Sequence, residues 1–186
     1  MRSAVSICNK GLQYVGGSPI VSLEEKTRGA ELCSQLYAQL CDELLEAHHW
    51  SFATRYVRLP SLPEAPPFDF SHAYQLPADC IGVRQLQDSK PFEVVEGRIL
   101  YTDSHPAKAI LTVRITDSNL YPAMFVEVLA RKLAAELAVP LMNSSKLEQS
   151  MYSKFKEAFA RAAAVDGAEG VQQIDESDGW LKARVL

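Results

Sequence analysis

Between Ser22 and Arg55 the chain reads SLEEKTRGAELCSQLYAQLCDELLEAHHWSFATR, and no other stretch limits the fold as much. Leu32, Cys33, Leu36, Tyr37, Leu40, Leu44 and Leu45 recur at steps of three and four, the spacing that lines one face of an α-helix. Glu31, Gln35, Gln39, Asp42 and Glu46 fall mostly on other faces. Ser22 and Glu25 have the spacing of a capping box: the hydroxyl accepts from the Glu25 amide, the carboxylate reaches back to the Ser22 amide, and Val21 can staple the first turn. A helix from there to the His48-His49 pair is about 36 Å long at ~1.5 Å per residue. That is more than a compact domain of this size needs across its middle, so the helix is expected to be the spine of a bundle.

The flanking chain follows in order. Ser3 to Val15 reads as a short helix capped by Ser3, with Val5, Ile7 or Cys8, Leu12 and Val15 on its apolar face and Gly16-Gly17 as its stop. The tight Gly17-Ser-Pro-Ile20 link places it beside the next helix. From Phe52 the period drops to two, and the proline-rich Leu59–Pro67 forbids both a helix interior and a central strand. Short strands are predicted at His72–Leu76, Ile81–Leu86, Phe92–Val95, Arg98–Tyr101 and Ala109–Ile115, with Glu96-Gly97 a hairpin turn and Asp103–Pro106 a second turn.

At Asp117 helical spacing returns. Asp117 or Ser118 is the cap, Pro122 stands in or just before the first turn, and Val126, Leu129, Leu133 and Leu137 form a stripe up to Pro140. A last helix runs from about Ser145 to Val165 with Leu147, Met151, Phe155, Ala158, Phe159 and Ala162 on one side, until Asp166-Gly-Ala-Glu-Gly170 breaks it. The expected class is α+β, mainly α. An antiparallel helical bundle (residues 1–50 and 117–170) carries an inserted β-rich domain with one small antiparallel sheet (51–116) and an extended C-terminal tail (171–186).

A net charge of −4 argues against affinity for phosphate backbones over the whole surface. None of Cys8, Cys33, Cys41 and Cys80 has metal spacing, and Cys33 and Cys41 lie too far apart along one helix to bridge, so all four are expected as reduced core thiols in a reducing, aqueous compartment. No run approaches the ~18 apolar residues of a membrane span. His48 and His49 diverge by about 100° on a helix and make no ligand pair of the HExxH kind, and one imidazole is expected to cap the last carbonyls. His72 and His105 are expected at the surface or in turns. No nucleophile-elbow, phosphate-loop, deaminase or zincin motif is present, so no catalytic residue, cofactor or metal is expected. Two groups stand out. Trp50, Phe52, Phe68 and Phe70 are expected to weld sheet to helices. Trp180, Leu181, Arg184, Val185 and Leu186 put aromatic, aliphatic and guanidinium anchors on the tail, the residue kinds that dominate interfaces.

Several segments together resemble the tail tubular protein A family, the head-to-tail adaptors of short-tailed bacteriophages. They are Ile7-Cys-Asn-Lys-Gly-Leu12 with Gly16-Gly17 and Ile20, the Leu32-Cys33…Tyr37…Asp42-Glu43-Leu44-Leu45 helix, His49-Trp50-Ser-Phe-Ala-Thr-Arg55, Ala73–Asp79, Phe125–Pro140 and Ala163–Gly170. The resemblance implies a ring, usually of twelve copies, under the portal protein and above a nozzle of the tail tubular protein B kind. Such a ring sits in the virion at the head–tail junction, is assembled in the bacterial host cytoplasm, and passes double-stranded DNA during ejection without reading its sequence. C-terminal segments in that family commonly dock on the portal. The rival reading is a virion-associated polysaccharide or peptidoglycan hydrolase using acids near the β insertion, such as Asp69, Asp79 or Glu93. A helical interaction module of a bacterial host is a third.

Overall fold

A computed structural model describes residues 2–169 and shows a mixed α+β chain. Helices α1 (Ala4–Val15) and α2 (Arg28–Ala47) come first. Strands β1 (Thr54–Arg58), β2 (His72–Gln75), β3 (Cys80–Leu86), β4 (Phe92–Val95), β5 (Ile99–Thr102) and β6 (Lys108–Val113) follow, and α3 (Ala123–Met142) and α4 (Ser145–Glu169) close the order. The predicted strands are all present within one or two residues. They form two three-stranded antiparallel sheets, ordered β1-β6-β3 and β2-β5-β4, where one had been expected.

The organising helix is α3. Phe125, Val128, Leu129, Ala130, Leu133, Ala134, Ala135, Leu137 and Ala138 are all buried, which takes in far more of its circumference than the predicted stripe, and Val126 of that stripe is only half-buried. A helix apolar on so many sides belongs inside. Its alanines let neighbours come close, and α1, α2 and α4 each pack on it. α1 leans on α3 far more than on α2, so the expected pairing of the first two helices is a minor contact. Gly11 marks the crossing: a Cβ there would stand 3.2 Å from the Ala130 carbonyl oxygen.

The start of α2 corrects the expected spine. Glu25 does accept from the Ser22 amide (3.1 Å), but also from Val21 (2.5 Å), while Ser22 Oγ takes the Glu24 amide (3.1 Å). These bonds close a turn. The helix begins only at Arg28, capped by Thr27 Oγ1 accepting from Ala30 (3.3 Å), and Val21 is 90% exposed instead of stapling. Its 20 residues make about 30 Å. α1 starts as read, with a reciprocal Ser3–Ser6 capping box, and ends at Gly16, whose φ of 78° suits a residue without a Cβ. Asp117 caps a single 3-10 turn (Ser118–Leu120), and α3 starts after Pro122. α3 passes through Pro140 to Met142, and α4 passes through Asp166-Gly167 to Glu169, so neither expected break occurs.

Leu59, Tyr74, Leu76, Leu86, Leu100, Ala107, Ala109, Leu111 and Val113 form a second core between the sheets, separate from the helical one. The β4–β5 hairpin turns at Glu96 (φ 52°) and Gly97 (φ 65°), both left-handed as a type I′ turn requires.

Candidate interaction surface

Where α2 gives way to β1, one buried tryptophan and two charged side chains hold the chain. Trp50 is 1% exposed. Its Nε1 donates to the Leu44 carbonyl (2.7 Å), one of the four carbonyls that the end of a helix leaves without an intrahelical partner. Its ring meets His48, Phe125 and Phe159 edge-on at centroid distances of 4.7, 5.2 and 5.9 Å, and Phe52, Tyr121 and Phe125 pack on one another.

Asp166 of α4 reaches this point. It accepts from the Ser51 amide (3.0 and 3.1 Å) and hydroxyl (3.3 Å) and lies 3.3 Å from His48 Nε2. From β3, Arg84 donates to Thr112 Oγ1 (2.8 Å), Thr54 Oγ1 (2.6 Å) and the Trp50 carbonyl (2.9 Å). Burial lowers its pKa below the ordinary guanidinium value, opposed by Asp166, and a guanidinium stays charged at neutral pH.

The outer face of sheet β1-β6-β3 continues from Arg84 as a ladder of cross-strand rungs. Thr54 pairs with Thr112, Tyr56 with Ile110 and then Gln85, and Arg58 with Lys108, whose carbonyl takes the Gln87 amide (2.8 Å). Successive rungs on one face are about 6.8 Å apart. Tyr56 is 76% exposed, Ile110 is half-buried, and Tyr56, Arg58, Gln85, Gln87, Lys108 and Ile110 line an open groove. Among the described residues neither Arg58 nor Lys108 forms an ion pair, whereas Arg55 is paired with Asp79 (2.7 Å). The nearby carboxylate of Asp88 is engaged by Ser104 Oγ (2.7 and 2.8 Å) and lies 3.9 Å from Lys90. The groove is therefore cationic and apolar in a chain that is acidic overall.

A second polar cluster joins α1 to α3. Glu127 holds Lys10 (2.5 Å), the Tyr14 hydroxyl (2.9 Å) and Arg131 Nε (2.6 Å), with Arg131 over the Tyr14 ring at 5.0 Å. Burial pushes the Glu127 carboxyl up, but Lys10, Tyr14 and Arg131 outweigh it and leave the pKa below 4.5. Such a fully engaged carboxylate is a tie between helices.

Of the four aromatic residues expected at the junction, Trp50 and Phe52 meet there at 6.2 Å. Phe68 does not: it is 78% exposed in the proline-rich loop, and Phe70 is only half-buried in the same loop. Trp180, Leu181, Arg184, Val185 and Leu186 lie outside the described residues. Asp69 and Glu93 are exposed on separate elements, and Asp79 is ion-paired, so the three acids named for hydrolysis share no common bond. His48 packs against Trp50 and Asp166, His49 is exposed, and His72 stacks on His105 at 4.7 Å. Among the described residues no group of three His, Cys, Asp or Glu could hold a metal ion. Cys8, Cys33, Cys41 and Cys80 are free thiols, and burial pushes Cys41 up to about 11.

The sequence reading missed Arg84, Asp166 and the Arg58–Lys108 rung. Alternation from Thr54 to Arg58 was the available signal for the rung, since it puts Tyr56 and Arg58 on one side. Arg84 and Asp166 act mainly across 28 residues or more and carry no local signature. No protein-family model matches the chain, and no curated protein matches it.

Proposed function

We propose that this chain is a structural virion protein: a ring-forming head-to-tail adaptor, about twelve copies to the ring, that joins a portal to a tail nozzle and continues the DNA channel. In this reading the helices form a bundle that serves as the wall and residues 51–116 are an inserted domain. Trp180, Leu181, Arg184, Val185 and Leu186 of the tail dock on the portal. The family-like segments of the sequence motivate it.

The observation that carries it is an exposed apolar patch at the α1–α2 link and the end of α3. Val21, Val139 and Met142 are exposed around the α1–α2 link and the end of α3, where Ile20, Leu141 and Met142 line one hollow. Along α4, a 25-residue helix, Tyr152 and Val165 are exposed singly, about 20 Å apart and on different sides. In a closed ring each copy presents one surface to its neighbour on one side and a different surface on the other, and in this reading the patch supplies one of the two. Exposed apolar side chains gathered on a surface mark contacts with partners. A wall acts through shape and needs no turnover, and a net charge of −4 suits a channel through which a polyanion slides.

Mixing the purified chain with portal rings and imaging by electron cryo-microscopy tests this. The expected result is a closed ring seated on the portal, lost when residues 172–186 are deleted while the fold is retained. A chain that stays monomeric and off the portal, under conditions that assemble authentic tails, refutes the adaptor. Docking that survives the deletion refutes the role given to the tail.

A further inference from the structure

The groove on sheet β1-β6-β3 has an occupant written into the same chain. The described helix α4 ends at Glu169, one turn beyond Asp166, and Asp166 is hydrogen-bonded to Ser51 at the head of that sheet. The following sequence, Val171-Gln-Gln-Ile-Asp-Glu-Ser-Asp178, contains three acids and no base, with Ile174 as its last apolar residue. We propose that residues 172–178 lie along the outer face of the sheet in the same molecule, Ile174 against Tyr56 and Ile110, Glu176 at the Arg58–Lys108 rung, and Asp178 one step beyond it.

Length, spacing and charge agree. The five residues from Glu169 to Ile174 can span up to about 17 Å, which exceeds the step from Ser51 to Tyr56 because Ser51–Ala53 is a 3-10 turn. In an extended segment Ile174, Glu176 and Asp178 share one side at steps of about 6.8 Å, which is the step between the Tyr56–Ile110 and Arg58–Lys108 rungs. The groove supplies a half-buried isoleucine and two cations that form no ion pair among the described residues. The assignment holds for a single chain and does not depend on ring formation. It leaves Trp180 to Leu186 free to reach beyond the sheet.

Amide hydrogen exchange on the full chain, at low salt and micromolar concentration, tests it. Amides of residues 172–178 should exchange about tenfold more slowly than in the isolated peptide, as expected of a docked segment that opens locally. Arg58→Glu with Lys108→Glu should abolish that protection, and adding Glu176→Lys with Asp178→Lys should restore it. Protection of α3 amides reports the fold in each case, and Arg58→Gln with Lys108→Gln replaces the reversal if the reversed variant does not fold. Peptide-like exchange in the full chain, or protection indifferent to both sets of changes, overturns the proposal. Protection that grows with protein concentration assigns the groove to another copy's tail, and protection of β1 and β6 that appears only with added portal assigns it to a foreign partner. Either result overturns docking within the molecule.

Discussion

Replacing Trp50 with Phe separates the hydrogen-bonding role of this side chain from its aromatic bulk. A phenyl ring keeps an aromatic face near His48, Phe125 and Phe159 but has nothing to offer the Leu44 carbonyl, which the indole now reaches at 2.7 Å in a buried setting. Leaving a buried acceptor unpaired costs about 1–3 kcal/mol. The smaller ring also vacates roughly 40 Å³, worth about 1 kcal/mol at ~24 cal/mol per Å³ where the surroundings do not collapse. The expected loss is therefore about 2–4 kcal/mol. Urea unfolding followed by circular dichroism near 222 nm reads it as a lower midpoint at unchanged slope. A loss of about 1 kcal/mol or less means that the carbonyl has found another donor, and refutes the view that Trp50 completes the end of α2.

Glu127 should govern part of the acid limb of stability. Its folded pKa is depressed, so the stabilisation is present above 4.5, its ordinary value, and disappears as pH falls through the lower folded value. Glu127→Gln should lower stability at neutral pH and flatten the decline below about pH 4.5, read from unfolding midpoints across pH; an unchanged profile contradicts this. Glu96→Asn should raise the unfolding midpoint by the equivalent of about 0.5–1 kcal/mol, because asparagine tolerates the left-handed φ of 52° better than glutamate. In a thiol-reagent assay on native protein, half-buried Cys80 should react first, while buried Cys8, Cys33 and Cys41 wait for unfolding. Equal rates for all four would show that the helical core opens far more readily than its packing implies.

The strands were legible because prolines and a two-residue period are local, and Glu96-Gly97 declared its turn through residue type alone. The first turn of α2 was not. The Ser22–Glu25 chemistry formed in part, but Glu25 also bound the Val21 amide and folded the segment into a turn, leaving Thr27 to cap the helix. The place of α3 was visible only in its alanines. Ala130, Ala134, Ala135 and Ala138 hardly register as an apolar stripe, yet they allow three helices to approach one axis. Pro140 did not end α3, since so close to the C-terminus it removes a single amide from the ladder. The division into two sheets escaped because strand order depends on pairings between distant segments, such as β1 with β6.

The meeting of Trp50, Asp166 and Arg84 has a mechanical consequence. The sheets join the helices through an indole to α2, a carboxylate from α4, a guanidinium from β3 and, past the end of β6, the bidentate Arg114–Asp42 pair on α2. Tension applied to β1 reaches both helices at that knot, and through β6 the Arg114–Asp42 pair shares the load on α2. If the molecule is stretched or twisted in service, the knot and the Arg114–Asp42 pair together set how far the two halves can swing before they part.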